Sequence, residues 1–578
     1  MKITTPRRIS QIFFVSIFLW FCFVMTLGKE WWKLRGWSVN LFLNLDPLTG
    51  ISTILTTRSL YSGLLWGLLT VILTIALGRF FCGWVCPFGA IHQFIGFIAN
   101  RKRKFAEKVG LNQYHPAQSV KYAILIFCLS GPVIGFFFGQ AASLQTGLLD
   151  PIPLLHRSVN LALLPFTNHG LPRFYDGAGS VGIVFLIAVL MNLLIPRFYC
   201  RFICPLGALF GILSRFAIWR VITVKQNNDA KCTHCRLCER NCEGACEPSE
   251  KLRLSECVLC LNCLHECKHD LIGYGTGISH SMISPDLSKR EFVVSAAVGL
   301  AVIPMLRLDG YTAANWNPAL IRPPGALAEK EFLARCIKCG QCMRICPTNV
   351  IQPSGLIGGV ESLWTPVLNF RIGTSGCQMN CIACGHSCPT AAIRPLSIDE
   401  RMGLNAYKEK GPVRTGTAFV DRNRCLPWAM DKPCIVCQEN CPVSPKSITT
   451  LEYFSTLPRY AKLVVKKADE LHIELESNAL EPNRFSTGDY YVLLKGDTQP
   501  RNIVENTANS LKISSLIPFN PSPAGQLEIQ VRLQRPIVEP SRCIGCGVCE
   551  HECPVRGQRA IRVSAENESR HREHALVL

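Results

Sequence analysis

Charge is scarce in this chain. Of its 578 residues only 18% are Asp, Glu, Lys or Arg, where average chains carry about a quarter. With 48% hydrophobic residues, that shortage excludes a disordered tail, a collagen and a coiled coil, and it points to a membrane portion. Other absences narrow the chemistry. There is no nucleophile–base pair, no phosphate loop, no nucleotide fingerprint and no C-x-x-C-H for covalent haem. Lone histidines such as His92, His115 and His156 read equally as interfacial residues or ligands. These absences leave no sign of a stand-alone hydrolytic, nucleotide-dependent or covalent-haem enzyme. Acids are outnumbered, 41 against 61 Lys+Arg, for a formal charge of +20. What abounds is cysteine, 31 of them, in a chain unlike the small secreted scaffolds that disulfides staple.

Twenty-four of the cysteines fall into six runs of four. Four runs repeat C-x2-C-x2-C-x3-C: Cys232, Cys235, Cys238, Cys242; Cys257, Cys260, Cys263, Cys267; Cys336, Cys339, Cys342, Cys346; and Cys543, Cys546, Cys549, Cys553. Two variants open with longer gaps: Cys377, Cys381, Cys384, Cys388, and Cys425, Cys434, Cys437, Cys441. Three thiolates on a tight loop reach three irons of one [4Fe–4S] cubane, and in two-cluster ferredoxins the fourth ligates the other cluster. The runs therefore read as three cross-linked pairs. Cys267 completes the 232 run and Cys242 the 257 run; Cys388 completes the 336 run and Cys346 the 377 run; Cys553 completes the 425 run and Cys441 the 543 run. Structural zinc is the alternative, but a third cysteine two residues on has no role in a tetrahedron. Four runs end in Cys-Pro, whereas Glu243 and Lys268 follow Cys242 and Cys267. Six clusters of charge about −2 would cancel about 12 of the +20, so the basicity gives no support to nucleic-acid binding. Ile337, Ile345, Ile544 and Val548 between the cysteines suit shielding of clusters.

Four apolar stretches, 12–28, 61–78, 122–139 and 179–196, are long enough to cross a bilayer, and a fifth, 292–306, is marginal. Lys2, Arg7 and Arg8 precede the first, Arg101, Lys102, Arg103, Lys104 and Lys108 follow the second, and Arg197, Arg201, Arg215, Arg220 and Lys225 follow the fourth. The opposite loops hold only Lys29, Lys33, Arg35 and Arg58, and Arg157 and Arg173. The positive-inside rule places the N-terminus and the 232–267 ferredoxin in the cytoplasm. At Ser288-Lys289-Arg290-Glu291-Phe292 the text resembles a twin-arginine export signal. The expectation is that 307–578 lies on the outer face; the alternative is a buried helix that leaves all clusters inside.

An internal repeat carries further chemistry. Arg79-Phe-Phe-Cys82-Gly-Trp-Val-Cys86-Pro87-Phe-Gly89 aligns without gaps with Arg197-Phe-Tyr-Cys200-Arg-Phe-Ile-Cys204-Pro205-Leu-Gly207, at an offset of 118. Each copy ends an even-numbered span, so the two halves read as parallel repeats. If helical, Cys82 and Cys86 share one face, as do Cys200 and Cys204. These four thiols are candidates for a metal site, a redox relay or the lining of a quinone pocket; buried small residues under a Pro-Gly kink are the alternative. Cys22, Cys128 and Cys246 have no partner by spacing and read as core thiols.

Spans with a duplicated C-x3-C-P followed by two ferredoxin runs resemble the NapH-type membrane polyferredoxins of periplasmic nitrate-reductase systems. Residues 285–578 resemble the exported four-cluster NapG/MauM-type ferredoxins, so the chain looks like the two joined end to end. NosR-type and CcoG-type proteins share the duplicated motif. The resemblance implies electron flow from membrane quinol through six [4Fe–4S] clusters to a periplasmic reductase or cytochrome, in a multi-pass protein of the bacterial inner membrane. Its alternative, from the CcoG side, is a copper reductase or assembly factor for another metalloenzyme. The expected architecture is multidomain: a four-span helical membrane domain at 1–225, a two-cluster α+β ferredoxin at 226–284, a Tat-like segment or fifth span at 285–306, and a ferredoxin-type domain at 307–450. A β-rich insertion at 451–536 and a final ferredoxin half at 537–578 complete it. The insertion, which separates Cys441 from Cys543 by 101 residues, reads as a small β-sheet module with strands near 471–476, 490–495, 511–516 and 527–533, and as a candidate docking surface.

Overall fold

The computed structural model describes residues 4–25, 38–59, 61–138, 146–163, 165, 173–223, 232–249, 252–267, 271–276, 290, 293–294, 296–298, 317–517 and 525–571. Most of the twin-arginine-like segment lies outside the described residues. The chain forms two compact units, Met1–Gly373 with Asn380–Val413, and Thr374–Met379 with Arg414–Leu578.

In the first unit, the four longer expected apolar stretches carry the helical segments Thr4–Val24, Ser62–Leu77, Val120–Phe138 and Ala178–Leu193, and most of the fifth, 292–306, lies outside the described residues. Only the Thr4–Val24 helix, among the described residues, is long and apolar enough to cross a membrane by itself. Two of the others carry helix-breaking residues. Gly78, at φ +82°, stops the second helix one residue before Arg79, and Pro132 sits inside the third. Apolar side chains such as Ile12, Phe13, Trp20, Ile72, Ile183 and Ile187 are exposed on these helices. A helix that is apolar on its outer face as well as its inner one suits a lipid surround.

Short two-stranded antiparallel ladders close two of the ferredoxin segments. In the first unit Arg220–Thr223, before Cys232, pairs with Ile272–Gly275, after Cys267. In the second unit Thr417–Val420, before Cys425, pairs with Ile561–Ser564, after Cys553. Joining the two ends of a segment in this way fixes the cysteine loops between them.

The insertion in the second unit is a seven-stranded antiparallel sheet: β1 (Ile448–Thr456), β2 (Leu463–Ala468), β3 (His472–Leu475), β4 (Tyr490–Leu494), β5 (Arg501–Asn506), β6 (Ser510–Ile513) and β7 (Gln526–Val538). Six strands close in the order β7-β2-β3-β6-β5-β4 and back to β7, around a core of Val465, Ile473, Val492, Ile503, Leu511 and Ile529. The far end of β7 instead pairs with β1, from Gln530 opposite Thr456 to Val538 opposite Ile448. The insertion thus leaves and re-enters the ferredoxin through one β-ribbon. Strands β1, β2 and β5 escape the alternation expected from sequence. Register shifts at Val465/Lys467 and Ile503/Glu505 break the period of two in β2 and β5, and in β1 most side chains are at least partly exposed.

Candidate functional site

Three cysteine sets surround apolar cavities. Cys336, Cys339 and Cys342 share a cavity with Cys388, beside Ile337 and Ile393. Cys425, Cys434 and Cys437 share one with Cys553, beside Pro427 and Ile561. Cys543, Cys546 and Cys549 share one with Cys441, beside Ile448 and Ile544. The last two sets bring together cysteines separated by the whole insertion, because the β1–β7 ribbon returns the chain to its starting point. Four thiols from two stretches of chain around one apolar cavity fit a [4Fe–4S] cubane, whose corners each take a different thiolate. The 377 run is divided: Cys377 belongs to the second unit, and Cys381, Cys384 and Cys388 to the first. Burial pushes the thiols of Cys336 and Cys425 up to about 11, and those of Cys437 and Cys546 up to about 12. Each must lose its proton to act as a ligand, so loading is expected to release protons. Hydroxyls face the closing cysteines: Thr348 Oγ1 at 3.7 Å from Cys346 Sγ, Thr390 Oγ1 at 3.8 Å from Cys388 Sγ and Ser447 Oγ at 3.2 Å from Cys441 Sγ. Hydrogen bonds to sulfur are a lever on cluster potential.

In the remaining ferredoxin segment, Cys263 lies within electrostatic reach of Cys260, Cys242 and Cys257, and Cys238 of Cys267. Cys246, read from sequence as a core thiol, is buried beside this set, and its N–H donates to Cys242 Sγ at 3.2 Å. Glu243 explains why proline is missing after Cys242. Its carboxylate pairs with Arg7 and, at 2.8 Å, with Arg197. Burial pushes the Glu243 carboxyl up, but Arg7, Arg197 and Asn262 outweigh it and hold it below its ordinary 4.5. Glu256 is held below 4.5 in the same way: burial is outweighed by Lys121 and Arg79, with hydrogen bonds from Lys121 and Tyr122. Arg79 Nη1 donates to Ser255 O at 2.7 Å, and a Cβ on Gly83 would run into the carbonyl of Val258. The helical domain therefore grips this ferredoxin through Arg7, Arg79, Arg197 and Lys121 among other contacts, and through close backbone approaches at Gly83 and Gly211.

The Cys336–Cys346 segment docks on a different set of residues. Arg157 Nη1 donates to Gly147 O at 3.0 Å and to Lys338 O at 3.2 Å. Asn160 Nδ2 donates to Gln341 Oε1 at 3.0 Å, and a Cβ on Gly147 would run into the carbonyl of Ile337. One helix touches both docks. Arg7, in the first turn of Thr4–Val24, donates to Cys260 O and Glu243, while Met25, just past its last turn, packs against Ile345 and Ala383. Twenty-one residues at about 1.5 Å each span about 31 Å, the thickness of a bilayer's hydrocarbon core.

The duplicated motif is not one continuous helix; it breaks before the proline in both copies. A π-helical turn, Phe81–Val85, is followed by an extended Cys86 that caps the Pro87–Asn100 helix through Gly89 N, 3.4 Å from its Sγ. The second copy repeats this: Tyr199–Ile203, then extended Cys204 capping Pro205–Leu213 through Gly207 N at 3.1 Å. Proline drives its predecessor out of the helical region and takes the first helical position itself. The copies interlock, since Arg197 Nη1 donates to Cys82 O at 3.3 Å and Arg79 reaches Gly207. Cys86 and Cys204 each lie within electrostatic reach of Cys82 and Cys200. Among the described residues no group of three or more His, Cys, Asp or Glu side chains is arranged around a single metal ion. His92 and His156 are buried, and His115 Nδ1 accepts from Ala117 N.

A second duplication escaped the sequence reading. Leu45-Asp46-Pro47 and Leu149-Asp150-Pro151 each begin a helix, Pro47–Thr57 and Pro151–Ser158. Their carboxyls hydrogen-bond one another, with Thr49 Oγ1 at 2.9 Å from Asp46 and 3.4 Å from Asp150. Burial pushes both carboxyls up, and for Asp150 the charge of Asp46 adds to it. The repeated Asp-Pro was the available signal.

Comparison with known proteins agrees with this chemistry. A family model described as "4Fe-4S binding domain" matches residues 59–106 and 178–222, the two segments that carry C-x3-C-P. A second model of that description matches 332–352 and 536–556. The ferredoxin-type protein NapH of Escherichia coli (strain K12) is 27% identical over 292 residues, 46% of this chain and 86% of NapH. The putative electron transport protein YccM of the same organism is 23% identical over 310 residues, 50% of this chain and 79% of YccM. No solved structure matches the chain. The ferredoxin-type protein NapG of Escherichia coli (strain K12) is 34% identical over 173 residues, 28% of this chain and 68% of NapG. On that likeness, with its cysteine sets and its NapH-like part, the chain belongs to the family of ferredoxin-type iron–sulfur electron-transport proteins.

Proposed function

We propose that the chain carries electrons through the bacterial inner membrane, from quinol to an outer acceptor such as a reductase or cytochrome. The observation that carries this reading is the pair of docks at the two ends of the 21-residue Thr4–Val24 helix. It supports a domain of four spans with the 232–267 ferredoxin on the cytoplasmic face and the 336 run on the periplasmic face. In this reading the six cross-paired cysteine sets given by spacing are the ligand sets of six [4Fe–4S] clusters. Bound there, the clusters supply one-electron carriers on both faces. The chain's own residues hold them. Ile337, Ile345 and Ile544, all nearly fully buried, exclude water. Arg7, Arg79, Arg157 and Arg197 fix the two docks against the helical domain. Asp46 and Asp150 give quinol oxidation a group able to accept a proton, and Cys82, Cys86, Cys200 and Cys204 form a redox station at the motif, where the described side chains are not arranged around a single metal ion.

Adding a quinol to anaerobic membranes is expected to bleach the oxidised clusters' visible absorbance, and a soluble outer acceptor is expected to restore it. Clusters that stay oxidised with quinol present would contradict the reading. The four gathered thiols of the duplicated motif favour a second one, a copper reductase or assembly factor. Normal electron flux with metal missing from a partner enzyme would establish that role instead.

A further inference from the structure

The segment after the 336 run carries an apolar tip with no role in holding clusters. Leu356–Gly358 forms a single 3-10 turn, with Leu356 67% and Ile357 60% exposed. The loop around it is closed at its base, where Ser354 N donates to Thr365 O at 2.7 Å and Trp364 N to Ser354 O at 2.8 Å. Gly358 permits the tight fold, since a Cβ there would strike the Ser362 hydroxyl. An Ω-like loop tied this firmly, yet tipped with leucine and isoleucine, spends ordered backbone on exposing apolar surface.

The base of the loop is fixed beside a lipid-facing helix. Trp364 Nε1 donates to Ser180 Oγ at 3.2 Å, and the Arg157 guanidinium stacks on its ring with 4.5 Å to the centroid. Ser180 begins a helical stripe at spacing i, i+3, i+4, i+7 with Ile183, Val184 and Ile187, and all four are exposed. In the membrane reading that stripe faces acyl chains, and its first turn stands at the membrane surface. Trp364 then occupies the interfacial level where an amphipathic ring, apolar with one N–H donor, is favoured. Phe174, 64% exposed just before the same helix, stands at the same level. The apolar tip therefore emerges where lipid begins.

We propose that the Leu356–Gly358 turn inserts into the outer leaflet and makes the outer ferredoxin segment a membrane-seated module, held by lipid as well as by Arg157. The proposal rests on the membrane reading above, and the test separates the two. The photocrosslinker p-benzoylphenylalanine is placed at Leu356 or at Ile187 in the full chain. The protein is reconstituted in nanodiscs of phosphatidylethanolamine and phosphatidylglycerol, and phospholipid adducts are sought by mass spectrometry. Adducts at both positions are expected. Adducts at Ile187 alone would overturn the inserted loop while leaving the spanning helices in place. Adducts at neither would overturn the membrane reading and the loop with it. Both positions are exposed, so iron content is expected to equal that of the unsubstituted chain, which serves as the folding control.

Discussion

Cys342→Ala is expected to cost the protein one complete cluster. The set around that cavity has four thiols, Cys336, Cys339, Cys342 and Cys388, and Cys342 is 9% exposed. Three remaining thiolates leave one iron corner open, so the cubane is expected to be lost or degraded. Iron in the anaerobically purified protein is then expected to fall from about 24 to about 20 atoms per chain, with one signal missing from the reduced EPR spectrum. The loss extends beyond the cofactor. Cys339 and Ile337 belong to the core that also contains Leu154 and Val159 of the helical domain, so an emptied cavity is expected to loosen that dock and raise its protease sensitivity. Cys128→Ala, which removes a buried thiol outside the six runs, is expected to keep all the iron. Equal iron in wild type and Cys342→Ala would show that this set holds no cluster.

The second large effect is expected at Glu256. Its carboxylate receives Lys121 Nζ, Gln118 Nε2 at 3.0 Å and Tyr122 Oη at 3.0 Å, and Glu256 and Lys121 are 3% and 0% exposed. Glu256→Gln keeps the shape but leaves a buried ammonium without its counter-charge. Removing one partner of a buried pair costs about 3–5 kcal/mol. The 232–267 ferredoxin is therefore expected to lose its absorbance at lower temperature than the other clusters, as a separate early transition. Glu505→Gln, which breaks an exposed pair with Lys512, is expected to change nothing measurable. The pH dependence follows from the same carboxylates. Glu243 and Glu256 titrate below their ordinary 4.5 in the folded chain. Their contribution is whole above 4.5, where both folded and unfolded states are ionised, and it is lost as pH falls through the lowered values. The early transition is thus expected to appear in the unsubstituted protein on acidification below 4.5 and not on raising the pH. A single transition at all these pH values would contradict the dock.

The chemistry of this protein is written locally and its assembly is not. Cysteine spacing states which thiols can share a cubane because the constraint is a few bonds of loop, and the same arithmetic is carried across the insertion between Cys441 and Cys543. Glu243 is different. As a sequence symbol it is only a missing proline; its meaning depends on Arg7 and Arg197, distant in the chain, arriving at the same place. Arg79 and Arg197 begin the two repeat copies, yet each reaches into the other copy, which alignment of the copies cannot express. Cys82 and Cys86 would share a face were the motif helical, but Pro87 holds Cys86 extended, and a π turn precedes it. Periodicity found the strands near 471–476, 490–495, 511–516 and 527–533 and missed those whose bulges break the alternation. Asp46 and Asp150 were legible as a repeat, but their hydrogen bond is a property of the packed bundle.

The central claim is that clusters stand on both faces of one membrane. The direct measurement is EPR of the reduced protein in sealed vesicles of known orientation, with an impermeant dysprosium complex added outside as a relaxing agent. In right-side-out vesicles, enhanced relaxation is expected for part of the cluster signal, including the component that Cys342→Ala removes. In inverted vesicles it is expected for a different part, the component weakened by Glu256→Gln. If every cluster relaxed from the same side, the chain would not carry electrons across the bilayer.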